Sequence, residues 1–213
     1  MTRILIVASL ILAGCANKPV PPAWQTSAQD STNAFTDAYL SGDSRVADAE
    51  FARARFATAS TGRPDAVAQV ELVRCAAQAA SLVFEGCPGF AALADGATPA
   101  QRAYAAYIDG RWQDAKPELL PEQHAAVVRG GAVAAVKDPM ARLVAAGAAF
   151  KAGRLPPEGI GAAIDAASAQ GWRRPLLTWL GVAEKRAQAA GNAAEAERIR
   201  RRIALASTGS TPR

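Results

Sequence analysis

The chain has 213 residues, and 24 lysines and arginines against 19 acidic residues give it a mild net charge of +5. Because the basic residues are spread along the chain and form no dense cluster, the charge pattern argues against nucleic-acid binding. Half of the residues are hydrophobic but only 6% are aromatic, and alanine dominates, which favours closely packed helices.

The first fifteen residues form the most specific motif of the sequence. Arg3 precedes an apolar run that starts at Ile4 and ends in Leu12-Ala13-Gly14-Cys15. A run of about ten apolar residues is too short to span a bilayer core as a helix, which takes ~20 residues, so it predicts a secretory segment. No later stretch is long and apolar enough to predict a transmembrane helix.

Residues Leu12 to Cys15 resemble the lipobox of bacterial lipoproteins. The resemblance implies that residues 1–14 are a signal peptide and that Cys15 becomes the mature N-terminus, with a diacylglyceryl group and an amide-linked acyl chain such as palmitate. Several acyl chains make a stable anchor. Because Ala16 stands where aspartate favours the inner membrane, the resemblance implies the periplasmic face of the outer membrane. The alternatives are an ordinary cleaved signal with an incidental cysteine and a short core helix.

The two remaining cysteines are Cys75 and Cys87, an even number in a protein expected to reach an oxidising compartment. We predict that they form a disulfide, because Gly86 allows the chain to turn sharply back along a helix that carries Cys75. The alternative is a pair of buried thiols. Two cysteines without a nearby histidine do not indicate a metal site.

After Cys15 the sequence predicts a tether, one domain and a tail. Three prolines between positions 19 and 22 predict an extended tether over residues 15–26, in which Trp24 either docks on the domain or contacts a partner. Residues 27–207 are predicted to form a single all-helical domain. Residues 208–213 continue the polar stretch that starts at Ser207 and predict a disordered tail.

Capping residues, glycines and prolines divide this domain into helices. The early helices are predicted from Ser27 to about Leu40, from a cap near Ser44 to about Ala59, and from Asp65 to Phe84, the third being the centre of the N-terminal half. Thr98-Pro99 predicts a capped helix that reaches Ile108. A further helix is predicted from Glu122 to Lys137 with Gly130-Gly131 inside it, and the chain is predicted to be helical from Asp138 onward.

One stretch resembles a tetratricopeptide repeat that lacks a residue between its two helices. Its residues are Tyr39-x-x-Gly42, Ala47-x-x-x-Phe51-x-x-Ala54 and Pro64, within a unit of about 34 residues. Segments around Gly153 and Gly191 repeat the order helix, glycine turn, helix. The resemblance implies an all-α fold of stacked antiparallel helical hairpins, similar to an α-solenoid and without a β-sheet.

Two groups of residues are candidates for contacts with a partner. Trp172 and Trp179 lie seven residues apart on a helix predicted from Trp172 to Ala190, where they form either core packing or an exposed aromatic surface. In the last helix Arg198, Arg201 and Arg202 follow acidic residues. They form either a basic patch for an acidic partner or lipid headgroups, or a solvated face that complements the helix dipole.

The sequence contains none of the usual motifs of catalysis. The single histidine, His124, lies at a helix start without a sequence partner and is predicted to be exposed. Motifs of serine hydrolases, zinc proteases, β-lactamases and dinucleotide-binding enzymes are not found in the sequence. We therefore predict a protein that is not an enzyme and uses neither a metal nor a cofactor.

These observations predict a lipoprotein that acts as an adaptor or assembly factor of an envelope complex. Its partner is expected to be an unidentified periplasmic or outer-membrane protein, bound through a face of stacked hairpins. One alternative is a pilotin-like escort of an outer-membrane secretion or pilus subunit. The other is a regulator or minor enzyme of peptidoglycan metabolism.

Overall fold

A computed structural model describes residues 20–208 of the chain. Within this range the protein consists of ten α-helices and three short 3-10 turns, with no β-strand, which confirms the predicted all-α class. The helices are α1 (Ala23–Ser41), α2 (Ser44–Ala59), α3 (Pro64–Ala80), α4 (Pro88–Ala91), α5 (Pro99–Ile108), α6 (Glu122–Val128), α7 (Pro139–Lys151), α8 (Pro157–Gln170), α9 (Arg173–Ala189) and α10 (Ala193–Thr208).

Short connections pack successive helices into hairpins. Between α1 and α2, Gly42 adopts a left-handed backbone with a φ of 94°, and the Asp43 side chain caps α2 by accepting a hydrogen bond from the Val46 amide at 3.1 Å. Gly191 and Asn192 make the corresponding turn between α9 and α10, where Asn192 accepts from the Glu195 amide at 3.0 Å. Because such turns leave no room for a crossover, consecutive helices lie antiparallel.

The α1–α2 hairpin contains the residues on which the repeat resemblance rests. Ala47 and Ala54 are completely buried. The Phe51 ring packs against the Phe35 ring with 5.6 Å between their centres. Small residues where two helices meet and an aromatic ring beside them are what such a repeat uses, although membership of that family stays a prediction.

Helices α3 and α7 cross at the centre of the molecule. Gly147 of α7 lies directly against the last turn of α3, so close that an added Cβ would overlap the carbonyl oxygen of Ala79. One residue further, the Ala80 carbonyl accepts a hydrogen bond from Nε1 of Trp179 at 3.0 Å. Since the last carbonyls of a helix have no partner within it, Trp179 of α9 satisfies one of those at the end of α3.

Cys75 and Cys87 form a disulfide, as the sequence predicted, with 5.8 Å between the two Cα atoms. The expected end of α3 at Phe84 is wrong, because the helix stops at Ala80 and Leu82 takes a left-handed backbone with a φ of 57°. The chain therefore has several residues, including Gly86 at a φ of 81°, in which to return to Cys75.

Three other helix boundaries differ from those predicted. Helix α1 already begins at Ala23, so the last four residues of the expected tether are helical, and α10 continues to Thr208. The predicted helix over residues 122–137 stops at Val128, because Gly130 is left-handed with a φ of 99° and a side chain on Gly131 would come within 2.8 Å of the Ala126 carbonyl oxygen. These glycines therefore form a turn.

The described helices also bear on membrane insertion. In residues 20–208 no helix combines the length and apolar character that crossing a membrane requires. Cys15 and residues 209–213 lie outside the described residues.

The α3–α7 crossing can be tested at Gly147. We expect Gly147→Ala to lower the free energy of unfolding by at least about 2 kcal/mol, because the new methyl group must push two backbones apart. Gly161→Ala is the matched control, since Gly161 lies in α8 with no neighbouring atom within 4 Å of an added Cβ. It should raise stability by about 0.5–1 kcal/mol. Urea denaturation gives both values, and equal effects of the two substitutions would contradict the close crossing.

Candidate functional site

A groove opens between α1, α3 and the start of α7. It consists of two adjoining cavities of about 900 and 640 Å³, which share Thr36, Gln69, Val73, Asp138 and Met140. The larger cavity lies along α1, and the smaller one extends toward α5 and α6. We call this feature the α1–α3–α7 groove.

The floor of the groove is apolar and comes from the two central helices. Val73 and Ala76 of α3 lie beside Met140 and Val144 of α7. Positions three or four residues apart share one face of a helix, so Gln69, Val73 and Ala76 line up along α3. The α3–α7 crossing therefore sets the shape of this floor.

The walls of the groove carry uncharged polar side chains, most of them amides. An amide group both donates and accepts hydrogen bonds, which is what the backbone of a bound peptide requires. The amide of Gln101 is the exception, because Thr98, Asp65 and Gln69 already occupy it. The polar residues of the lining are Gln25, Gln29, Thr32, Asn33, Thr36, Thr58, Gln69, Gln101, Gln123 and Gln170.

Aromatic side chains occupy both ends of the groove. Trp24 of α1 and Trp172, the residue before α9, line the larger cavity, and both are half-buried. Tyr104 lines the smaller cavity together with His124. Trp24 belongs to the first turn of α1 and thus lies on the domain, while a contact of its groove side with a partner stays a prediction.

Three carboxylates supply the charge of the groove. Asp37 lies on α1, Glu118 on the 3-10 turn over Pro117–Leu119, and Asp138 at the N-cap of α7. Asp138 has a structural role as well, because its Oδ1 accepts the Ala141 amide hydrogen at 2.7 Å. Among the described residues that line the two cavities there is no lysine or arginine.

His124 is buried, and the prediction that it is exposed is wrong. Only 4% of the residue is accessible, because α6 packs its ring against the rings of Tyr104 and Tyr107. A hydrogen bond of 3.2 Å joins His124 Nδ1 to the Tyr107 hydroxyl. Burial lowers the pKa of His124 to about 4, against a smaller opposing effect of Asp138, so the imidazole is neutral at physiological pH. Burial likewise raises the pKa of the Tyr107 hydroxyl.

The structure separates the two tryptophans that the sequence placed on one face. Trp179 is completely buried, its ring edge packs against Phe150 and its indole nitrogen is bonded to Ala80. For Trp179 the interpretation as an exposed contact with a partner is therefore wrong, and this residue belongs to the core. Trp172 precedes the helix and lines the groove instead.

The arginines of α10 are exposed but largely paired on their own helix. Arg198 contacts Glu195 at 2.6 Å, and Arg201 contacts Glu197 at 3.6 Å. Arg202 lines a separate cavity of about 420 Å³ between α8, α9 and α10. The pairing supports the interpretation as a solvated face, while a partner at these arginines stays a prediction.

The sequence reasoning missed the residues that define the groove. Asp37, Gln69 and Glu118 carried no motif, and Asp138 was recognised only as the start of a helix. Met140 lies near a cap and has no periodic signal of its own. Their common property is a position in space, which becomes visible only once α1, α3 and α7 are packed together.

Residues 20–208 contain no group of three histidine, cysteine, aspartate or glutamate side chains that could hold a metal ion.

No family model matches the chain, and no curated protein or solved structure matches it. The geometry of the groove and the N-terminal motif are therefore the observations from which a function can be argued.

The burial of His124 predicts a specific dependence of stability on pH. An unfolded histidine has a pKa of about 6.5 and the folded one about 4, so the unfolded state binds an extra proton between these values. Above about pH 6.5 the titration of His124 does not change the free energy of unfolding. As the pH falls toward 4, it lowers the free energy of unfolding by up to about 3 kcal/mol. We expect His124→Gln to lose less stability than the wild type between pH 7.5 and 4.5 in urea denaturation. Parallel losses in the two proteins would contradict a buried, neutral His124.

Proposed function

We propose that the protein is a periplasmic lipoprotein, anchored in the outer membrane through Cys15, that acts as an adaptor by binding a segment of a partner protein. The observation that carries the proposal is the α1–α3–α7 groove, with an apolar floor and amide-rich walls. A protein segment needs both features, because its side chains require apolar surface and its backbone requires donors and acceptors.

The shape of the groove favours a polypeptide over a small molecule. Two adjoining cavities, each hundreds of Å³ in volume and joined through the shared residue Gln69, offer room for several consecutive residues. The lining comes from α1, α3, α5 and α7 and thus from distant parts of the chain. An occupant would therefore contact a surface that exists only in the folded domain.

The position of the groove agrees with an anchor at Cys15. Trp24 at one end of the groove follows Cys15 by nine residues. Even a fully extended chain of that length reaches only about 3 nm. Lipidation of Cys15 would thus hold the Trp24 end of the groove near the membrane surface, where segments of envelope proteins emerge.

The anchor is tested by Cys15→Ser, with Asn17→Ser as the matched control two residues away. We expect the wild type and the Asn17→Ser protein to incorporate radiolabelled palmitate, and the Cys15→Ser protein to remain unlabelled, because only a thiol forms the thioether. Gel autoradiography of cells grown with the label measures this. An acylated Cys15→Ser protein, or an unlabelled wild type, would remove the lipoprotein proposal.

The binding role is tested by placing a photo-crosslinking amino acid at Gln69, which is exposed and belongs to both cavities. The control position is Gln188, exposed on α9 outside the groove. We expect illumination of living cells to give a discrete protein adduct from position 69 and none from position 188. A secretion or pilus subunit in the adduct would specify a pilotin-like role, and a cell-wall synthase or hydrolase would specify peptidoglycan metabolism. Equal results at the two positions would contradict the groove as the binding site.

A further inference from the structure

We infer that the segment bound in the α1–α3–α7 groove is a basic peptide whose lysines or arginines lie against Asp37, Glu118 and Asp138. This inference rests on the proposed function and adds the chemistry of the partner. Three observations support it: the negative charge of the groove, the lack of salt bridges to these three carboxylates within residues 20–208, and the apolar floor.

The groove has a charge opposite to that of the protein. The whole chain carries a net charge of +5, yet the described lining of the groove holds three carboxylates and no basic side chain. A cavity of about 430 Å³ outside the groove shows the contrast, because Arg102, Arg111 and Lys116 line it with a single aspartate. The acidic character is therefore local to the groove.

The carboxylates of the groove are available to an incoming cation. Within residues 20–208, none of the three takes part in a salt bridge, and only Asp138 accepts a side-chain hydrogen bond, from the Ala141 amide. A buried acid outside the groove is paired instead. Glu71, which is 2% exposed, contacts Arg55 at 3.0 Å and Arg74 at 2.7 Å.

The floor adds a requirement for apolar side chains between the cations. Half-buried Val73 and Met140 present the accessible aliphatic surface, over the buried Ala76 and Val144. Met140 at the junction of the two cavities is a flexible side chain that adapts to irregular shapes. Half-buried Trp24 and Trp172 provide flat faces on which a lysine or arginine stem can lie. A segment that alternates basic and apolar residues satisfies the floor, the aromatic rings and the carboxylates together.

The same charges disfavour other occupants. Nucleic acid and anionic lipid headgroups would meet three negative charges without a compensating cation from the lining. An acidic peptide would meet the same repulsion. Charge complementarity therefore favours a bound segment of positive charge.

The test uses three 16-residue peptides with the same leucine and alanine positions and a neutral fluorophore. Four variable positions carry lysine, glutamine or glutamate. By fluorescence polarisation with the unlipidated, full-length Cys15→Ser protein, we expect the lysine peptide to bind at least tenfold more tightly than the glutamate peptide. An increase from 50 to 300 mM salt should weaken the lysine peptide most, because its contacts to exposed carboxylates are screened.

Two triple variants test whether the preference for the lysine peptide depends on the carboxylates of the groove. Asp37→Asn, Glu118→Gln and Asp138→Asn together should abolish the preference for lysine, and asparagine at position 138 can still cap α7. The matched control, Asp48→Asn with Glu158→Gln and Asp165→Asn, removes three exposed carboxylates outside the groove and should keep the preference.

Each unfavourable result has a separate meaning. No binding of the lysine peptide at 1 mM, or equal binding of the glutamate peptide, overturns the inference about charge. Loss of the preference in both triple variants also overturns it, because the effect would then follow net charge alone. In these cases an adduct from position 69 would leave the proposed binding role intact, whereas a missing adduct would remove both.

Discussion

The close approach of α7 to the last turn of α3 is the contact on which the rest of the structure depends. Only glycine at position 147 allows the α7 backbone to reach the Ala79 carbonyl. At the next residue the Ala80 carbonyl accepts a hydrogen bond from the Trp179 indole of α9. The same two helices provide the accessible apolar floor of the groove through Val73 and Met140. A wider crossing would thus change the shape of the floor along with the core.

The helix ends were largely predictable because their signals are local. The capping pair of Thr98 and Gln101 forms as expected and starts a helix that reaches Ile108, and Asp43 caps α2. A side chain that bonds to an amide three residues away needs no information from the rest of the chain. Two of the boundaries that differed from the prediction, at Ala80 and Val128, are set by left-handed residues just beyond them, Leu82 and Gly130.

The candidate site was much less predictable, because its residues share no pattern along the chain. Asp37 and Asp138 are about a hundred positions apart, and their common exposure to one groove follows from the packing of α1 beside α3 and α7. His124 shows the same limit in the core, since its burial depends on the rings of Tyr104 and Tyr107 in another helix. The arginines of α10 stood out in the sequence, yet Glu195 and Glu197 pair with two of them.

The distribution of the four tryptophans has an optical consequence. Trp112 and Trp179 are buried, whereas Trp24 and Trp172 are half-buried and both line the groove. Indole emission moves to longer wavelengths when the ring contacts water. The long-wavelength part of the protein's intrinsic fluorescence therefore comes from Trp24 and Trp172 in the groove. The protein therefore carries its own spectroscopic reporter at the place where a partner would sit, and it needs no added label for that place to be observed.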